Sequence, residues 1–442
     1  MSTGVTAYLG ATLIDGTGAG PQPDAIILVE DSTIVGVGQG LAVPEGASVV
    51  DLAGRWVVPG LVDAHVHFFE SGRIYNNPKT IDLTDQVSWE QEMAWIYDRL
   101  PITLQTTLCA GVTSAISLGG PEVEYAAKEL AQKMDNTPDV YAGHGPITPV
   151  PAHLMFRDWD GEPALRNATT VVEAVEEIRT AVAKGADLIK LGEVGPPFDG
   201  YEVDYPEHVA AMIDEAARYN LPVTMHLTSV AGYERYLDSG IGSIQHTPLG
   251  NDLLSADTAA ELAERGIVVA PTLSVFKRSS VAIIDKSFEL EPIEERCGDP
   301  EVIESWYVEV PEANRQDTSV WGPLLEGSRT NFRTLLDAGV PMAAGSDAGN
   351  FGLVHGASLH YELVEMVRAG MSPAQAIVSG TLNSARVAGI DDRTGSLESA
   401  KQADFLVLTE NPLVDIRNLQ SIEYVVKSGV RFAHEDLLPP SP

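Results

Sequence analysis

Between residues 58 and 395 one unit recurs: an amphipathic helix, a glycine that ends it, then a short apolar strand. Gly111 precedes strand 112–118, Gly185 precedes 188–191, Gly240 precedes 243–245, Gly266 precedes 267–270 and Gly339 precedes 341–344. Helices that alternate with buried strands force parallel pairing, because a helix is the usual crossover between parallel neighbours. With 57–64, 140–143 and 222–225 the expected strands number eight, the count of a closed (β/α)8 TIM barrel. The chain of 442 residues is long enough for such a barrel and a smaller companion.

The companion is expected from both chain ends. Residues 1–57 read as short strands with turns, such as Asp15-Gly16-Thr17-Gly18, and 403–408 and 422–427 read as strands of the same character. A small β-sandwich from 1–57 and 396–442, with 58–395 as the catalytic barrel, follows. Segment 274–325 breaks the repeat and is expected to be an extended loop. It carries Trp306, Tyr307 and Trp321 and is a candidate lid at the end of the barrel where loops carry chemistry.

The net charge of −35 repels nucleic-acid phosphates and anionic membranes, so neither is expected as a partner. Cys109 and Cys297 have no metal-type spacing, and two cysteines do not build a disulfide scaffold; Cys109 reads as core. Without a leader-like N-terminus or a membrane-length apolar run, the cytoplasm is the simplest location.

The polar residues at the strand ends carry the chemistry. The apolar run 56–64 ends in His65-Val66-His67, whose two imidazoles share one side of a strand. Lys190, His226, His246 and Asp347 occupy the ends of four later strands. Each alone has a plain structural explanation, but together they place four imidazoles, an amine and a carboxylate at one mouth. A cationic lysine among metal ligands is disfavoured, so its charge must change. A Schiff base would do this but has no use for four imidazoles. Carbamylation by carbon dioxide gives a carboxylate able to bridge two metal ions, which the histidines favour. Nitrogen and oxygen donors without thiolate suit zinc best, with manganese, cobalt or iron(II) as alternatives.

These motifs, Pro59-Gly60-Leu61-Val62-Asp63-Ala64-His65-Val66-His67, Gly345-Ser346-Asp347-Ala348-Gly349 and Ala403-Asp404-Phe405-Leu406-Val407-Leu408 with Asn411-Pro412-Leu413, resemble those of the amidohydrolase superfamily. The resemblance is to the branch of imidazolonepropionase-like proteins, dipeptidases and hydrolases of N-substituted amides and ureas. It implies that His65, His67 and Asp347 hold one metal, His226 and His246 a second, and carbamylated Lys190 bridges them together with a hydroxide. It further implies Asp347 as the general base on that hydroxide's water and the proton donor to the leaving nitrogen.

The implied substrate is a small molecule with an amide-type C–N bond: a dipeptide, N-acyl amino acid, carbamate or urea. Expected substrate contacts are His153 or His144 in the loop after the third strand, His355 after the eighth, and Tyr233. Tyr233 is named because dipeptidase relatives place a carboxylate-binding tyrosine where this chain has Thr228. His208, His360 and His434 are expected to face solvent. Phe68, Phe69, Tyr75, Trp89 and Trp95 suit either a pocket wall or ordinary packing. Association into a homo-oligomer is expected by analogy with other barrel enzymes. The competing readings are a mononuclear imidazolonepropionase-like cyclic-amide hydrolase, a lactone or phosphoester hydrolase, a lysine-dependent aldolase, and a catalytically silent metal-binding scaffold.

Overall fold

The computed structural model describes residues 4–76, 80–149, 164–192, 205–314 and 318–440. The chain opens with five strands, β1 (Val5–Leu13), β2 (Gln22–Glu30), β3 (Thr33–Gly38), β4 (Ser48–Asp51) and β5 (Trp56–Pro59). It then builds the barrel from β6 (Leu61–Val66), β7 (Val112–Ser117), β8 (Asp139–Thr148), β10 (Leu188–Gly192), β11 (Val223–His226), β12 (Ser243–Gln245) and β13 (Val268–Ala270), with a short β9 (Arg166–Asn167) beside β8. It returns to the first sheet with β14 (Phe405–Leu408), β15 (Ile422–Lys427) and β16 (Val430–Ala433).

All barrel neighbours pair in parallel. The expected eighth strand closes the ring as an extended segment making single bridges, Val269 with Met342 and Val66 with Ala348. Its bonds alternate between the two edges: Ala343 N donates to Val269 O at 2.9 Å, and Ala64 N to Ala344 O at 3.0 Å. Gly345 explains the irregularity, because a Cβ there would lie 2.7 Å from the Cβ of His65. The backbone passes too close to the first strand for a regular ladder. The helix-ending glycines behave as expected: Gly185 and Gly266 cap their helices at φ 74° and 67°.

The terminal strands form one hydrogen-bonded sheet built from both chain ends, ordered β16-β15-β14-β5-β1-β2-β3 with β4 beside β1. Its core gathers Tyr8, Leu13, Ile27, Val57, Phe405 and Val426 from both chain ends. The run expected as the first barrel strand is divided at Gly60. Trp56–Pro59 pairs with β14 and β1, and Leu61–Val66 pairs with β7. At the division a Cβ on Gly60 would lie 2.1 Å from Thr113 Oγ1. Gly60→Ala is therefore expected to destabilise the protein by about 1–3 kcal/mol through overpacking, measured as a lowered urea midpoint at unchanged slope.

Segment 274–325 is not a loop. It holds helices at Leu273–Lys277, Pro292–Cys297 and Pro300–Ser305 and the start of Trp321–Asp337. Buried side chains pin it down. Trp306 donates to Gly72 O at 2.8 Å, while Arg278 pairs with Glu294 at 2.9 Å and lies 4.0 Å from the Tyr361 ring centroid. A disulfide joins Cys109, at the end of Trp89–Cys109, to Cys297 in this segment. The cysteine read as core is thus also a cross-link. His360 and His434 are buried, contrary to expectation; the first bonds Ala110 O at 2.8 Å and the second lies 3.1 Å from Cys297 Sγ. No described helix is long and apolar enough to cross a membrane.

Candidate metal centre

The six polar residues at the strand ends converge. The Nε2 atoms of His65 and His67 are 3.2 Å apart, and Asp347 Oδ1 lies 3.2 Å from the first and 3.6 Å from the second. His246 faces His65 at 5.1 Å between ring centroids and His226 at 4.3 Å. Lys190 lies close enough to influence all four imidazoles and Asp347 electrostatically. His67 and His226 are only partly covered, so solvent reaches the cluster from their side.

Burial dominates the electrostatics. It lowers His67 and His226 to about 3, with Lys190 adding to the effect, and holds His65 and His246 well below the ordinary imidazole range. All four rings are therefore neutral at physiological pH, the form that donates a lone pair to a metal. Burial pushes the Lys190 ammonium down and the Asp347 carboxyl up, each partly opposed by the other's charge. Lys190 Nζ has no hydrogen-bond partner among the described residues, and neither has His65 Nδ1. A buried amine among neutral nitrogen donors and one carboxylate fits a metal cluster far better than a packed core.

The supports explain how the ligand candidates are held. Gly119 O accepts from His67 Nδ1 at 3.0 Å, leaving Nε2 for the cluster. Asp63 accepts from His65 N at 3.2 Å, Ser346 N at 2.9 Å and Ser346 Oγ at 2.5 Å, binding the first strand to the closing segment. Glu124 accepts from Phe68 N and Phe69 N at 3.1 and 2.7 Å. Asp63 left a signal in the sequence, a carboxylate inside an apolar strand. Glu124 left none. His246, Thr272 and Asp347 all have left-handed backbones, with φ of 73°, 47° and 56°. Non-glycine residues rarely adopt that conformation, which costs about 1–3 kcal/mol and gathers at functional sites.

The expected substrate contacts fare differently. His144 is directed toward the outer helices, 2.8 Å from Tyr125 OH and 3.1 Å from Glu177, because its strand continues past it with the ring on the outer face. Tyr233 is wholly buried and donates to His246 O at 2.6 Å, so it does not line an opening. His355 bonds His67 O at 3.0 Å and stacks on Phe68, bracing the loop. His153 lies outside the described residues. Among the aromatics after the first strand, Tyr75 and Trp95 enclose the Arg73 guanidinium at 4.8 and 4.7 Å, and Phe69 meets His67 edge-on. Phe276 and Trp321 come from the segment after the seventh strand. Phe276 lies edge-on to His246 at 5.6 Å and stacks with Trp321 at 5.8 Å.

A barrel bearing four imidazoles, a lysine and an aspartate at the C-terminal ends of its strands has the build of a hydrolytic enzyme. The chain belongs to the amidohydrolase family, which its residues 56–431 match, and it is a hydrolase acting on C–N bonds. It is 27% identical to ochratoxinase of Aspergillus niger over 97% of this chain and 86% of that protein. It is 24% identical to imidazolonepropionase of a Geobacillus species over 91% of this chain and 88% of that one. The fold is shared with a solved Xaa-Pro dipeptidase, TM-score 0.73 at 23% identity, covering 97% of this chain and all of the other.

Proposed function

We propose that the chain is a binuclear metal-dependent amidohydrolase in which His65, His67 and Asp347 hold one divalent ion, His226 and His246 hold the other, and carbamylated Lys190 joins the two sets. Lys190 carries this reading: its Nζ is buried without a hydrogen-bond partner among the described residues, within electrostatic reach of four neutral imidazoles. The uncharged amine adds to carbon dioxide, forming an N–C bond and releasing a proton. A carboxylate then stands where a metal cluster needs an anion. The donor set suits zinc.

When bound, two such ions polarise a carbonyl and bring the pKa of water toward neutrality. The rest falls to the protein. Asp347, with Oδ1 beside His65 and Oδ2 4.0 Å from His246 Nδ1, takes the proton from the attacking water and delivers it to the departing nitrogen. The carbonyl of Gly119 keeps His67 in one tautomer. Phe276, backed by Trp321, offers a flat apolar wall to the substrate. That wall favours an amide, carbamate or urea with an aromatic or apolar group near the scissile bond. Phe276→Ala is expected to raise KM for an aryl amide about 5- to 10-fold and to leave KM for a small aliphatic analogue nearly unchanged.

The test is metal content per chain by elemental analysis, on protein purified with bicarbonate. It is followed by hydrolysis assays on dipeptides, N-acyl amino acids, carbamates and ureas. About two equivalents with turnover of one of these classes supports the proposal. A single equivalent favours a mononuclear cyclic-amide hydrolase, the second reading, which the similarity to imidazolonepropionase over 91% of this chain recommends.

A further inference from the structure

We infer that Thr272 and Tyr233 are positioning residues that fix which nitrogen of His246 faces the cluster, an inference that rests on His246 being a metal ligand. His246 follows the last residue of β12 and has a left-handed backbone, φ 73°. Such a backbone turns its carbonyl out of the sheet ladder. That carbonyl accepts from the buried hydroxyl of Tyr233 at 2.6 Å. On the other side, His246 Nδ1 lies 2.6 Å from Thr272 Oγ1. Thr272, the only β-branched residue of the three left-handed ones at the site, holds φ 47° and is wholly buried. Its own place is fixed by the next two residues, since Leu273 N and Ser274 N donate to the buried carboxyl of Glu362 at 2.9 and 2.7 Å.

The consequence is chemical. An imidazole can turn about its Cβ–Cγ bond and present either nitrogen. Nδ1 lies 4.0 Å from Asp347 Oδ2 but only 2.6 Å from Thr272 Oγ1, and with Nδ1–H donated to that oxygen, Nε2 keeps its lone pair and is the atom left to bind. Thr272 thus selects the tautomer, and Tyr233 holds the backbone from which the ring projects.

The test uses zinc-loaded protein titrated with a chromophoric chelator, alongside melting curves with and without metal. Thr272→Val keeps the branched shape and the backbone strain and removes only the oxygen. It is expected to loosen one zinc about 10- to 100-fold and to shrink the rise in Tm that zinc produces. Thr272→Ser is expected to restore affinity to within about threefold. Tyr233→Phe is expected to weaken the same zinc more mildly. Parent-like affinity in Thr272→Val overturns the inference, as does a Tm lowered equally with and without zinc at unchanged affinity. His246→Ala separates the two levels of argument: unchanged zinc content in that variant removes the ligand assignment itself.

Discussion

Asp347→Asn is expected to lower kcat by about two to four orders of magnitude while most of the metal stays bound. The amide keeps the size of the side chain and one oxygen that can face the cluster, but it cannot accept a proton from water at neutral pH. Its backbone asks for little adjustment, since Asp347 sits at φ 56° and asparagine tolerates the left-handed region well. The neighbouring bond from Asn350 Nδ2, 3.2 Å from Asp347 Oδ1, can persist to the amide oxygen. Steady-state kinetics and elemental analysis on the same preparation check this. Parent-like turnover would remove Asp347 from the proton-transferring role, and loss of both ions would make it chiefly a ligand.

Lys190→Ala is expected to reduce bound metal from about two equivalents to one or fewer, and activity by at least about 100-fold. The shortened side chain leaves a hole where the carbamate stood. Added acetate or propionate is therefore expected to recover part of both the metal and the activity. Lys190→Met distinguishes this from loss of the fold, because methionine is similarly long and has no polar end. Metal-free Lys190→Met is expected to be more stable than the metal-free parent by about 1–3 kcal/mol, the cost of a buried polar group without a partner. If the metal-free variant were instead less stable, Lys190 would have a bond in the free protein, and the case for carbamylation would weaken.

The six cluster residues were legible because each is a polar residue in or just beyond a short apolar strand, near its C-terminal end, and parallel strands of one barrel end on one face. The direction of a side chain within a strand was harder to read. Gly143-His144-Gly145 has no apolar alternation to show which face His144 takes, and the strand runs on to Thr148 rather than stopping at Gly143. Tyr233 was expected as a substrate contact because it lies shortly after Thr228, where dipeptidase relatives carry a carboxylate-binding tyrosine. Only the three-dimensional structure, in which its hydroxyl donates to His246 O, shows where that hydroxyl goes. Helices of five or six residues, such as Leu273–Lys277 and Pro292–Cys297, are too short for periodicity to reveal. Arg278 was hidden for a related reason, because its burial depends on Glu294 and Tyr361, partners distant in sequence. The pairing of Cys109 with Cys297 depends on three-dimensional proximity across 188 residues.

The joint at Gly60 divides one run of sequence between two structures whose last strands are synthesised at different times. β5, directly ahead of the strand that carries His65, is held on one side by β1 and on the other by β14. β5 therefore lacks one of its two neighbours until residues 405–408 have left the ribosome, whereas the histidine-bearing strand is held by β7 and by the closing segment at Ala344 and Ala348. Domains generally form as units while the chain emerges, but here the strand that leads into the barrel gains its second neighbour from a segment made after every proposed ligand, Asp347 included. A nascent chain stalled shortly before β14 would contain all six cluster residues and still lack the second neighbour of β5.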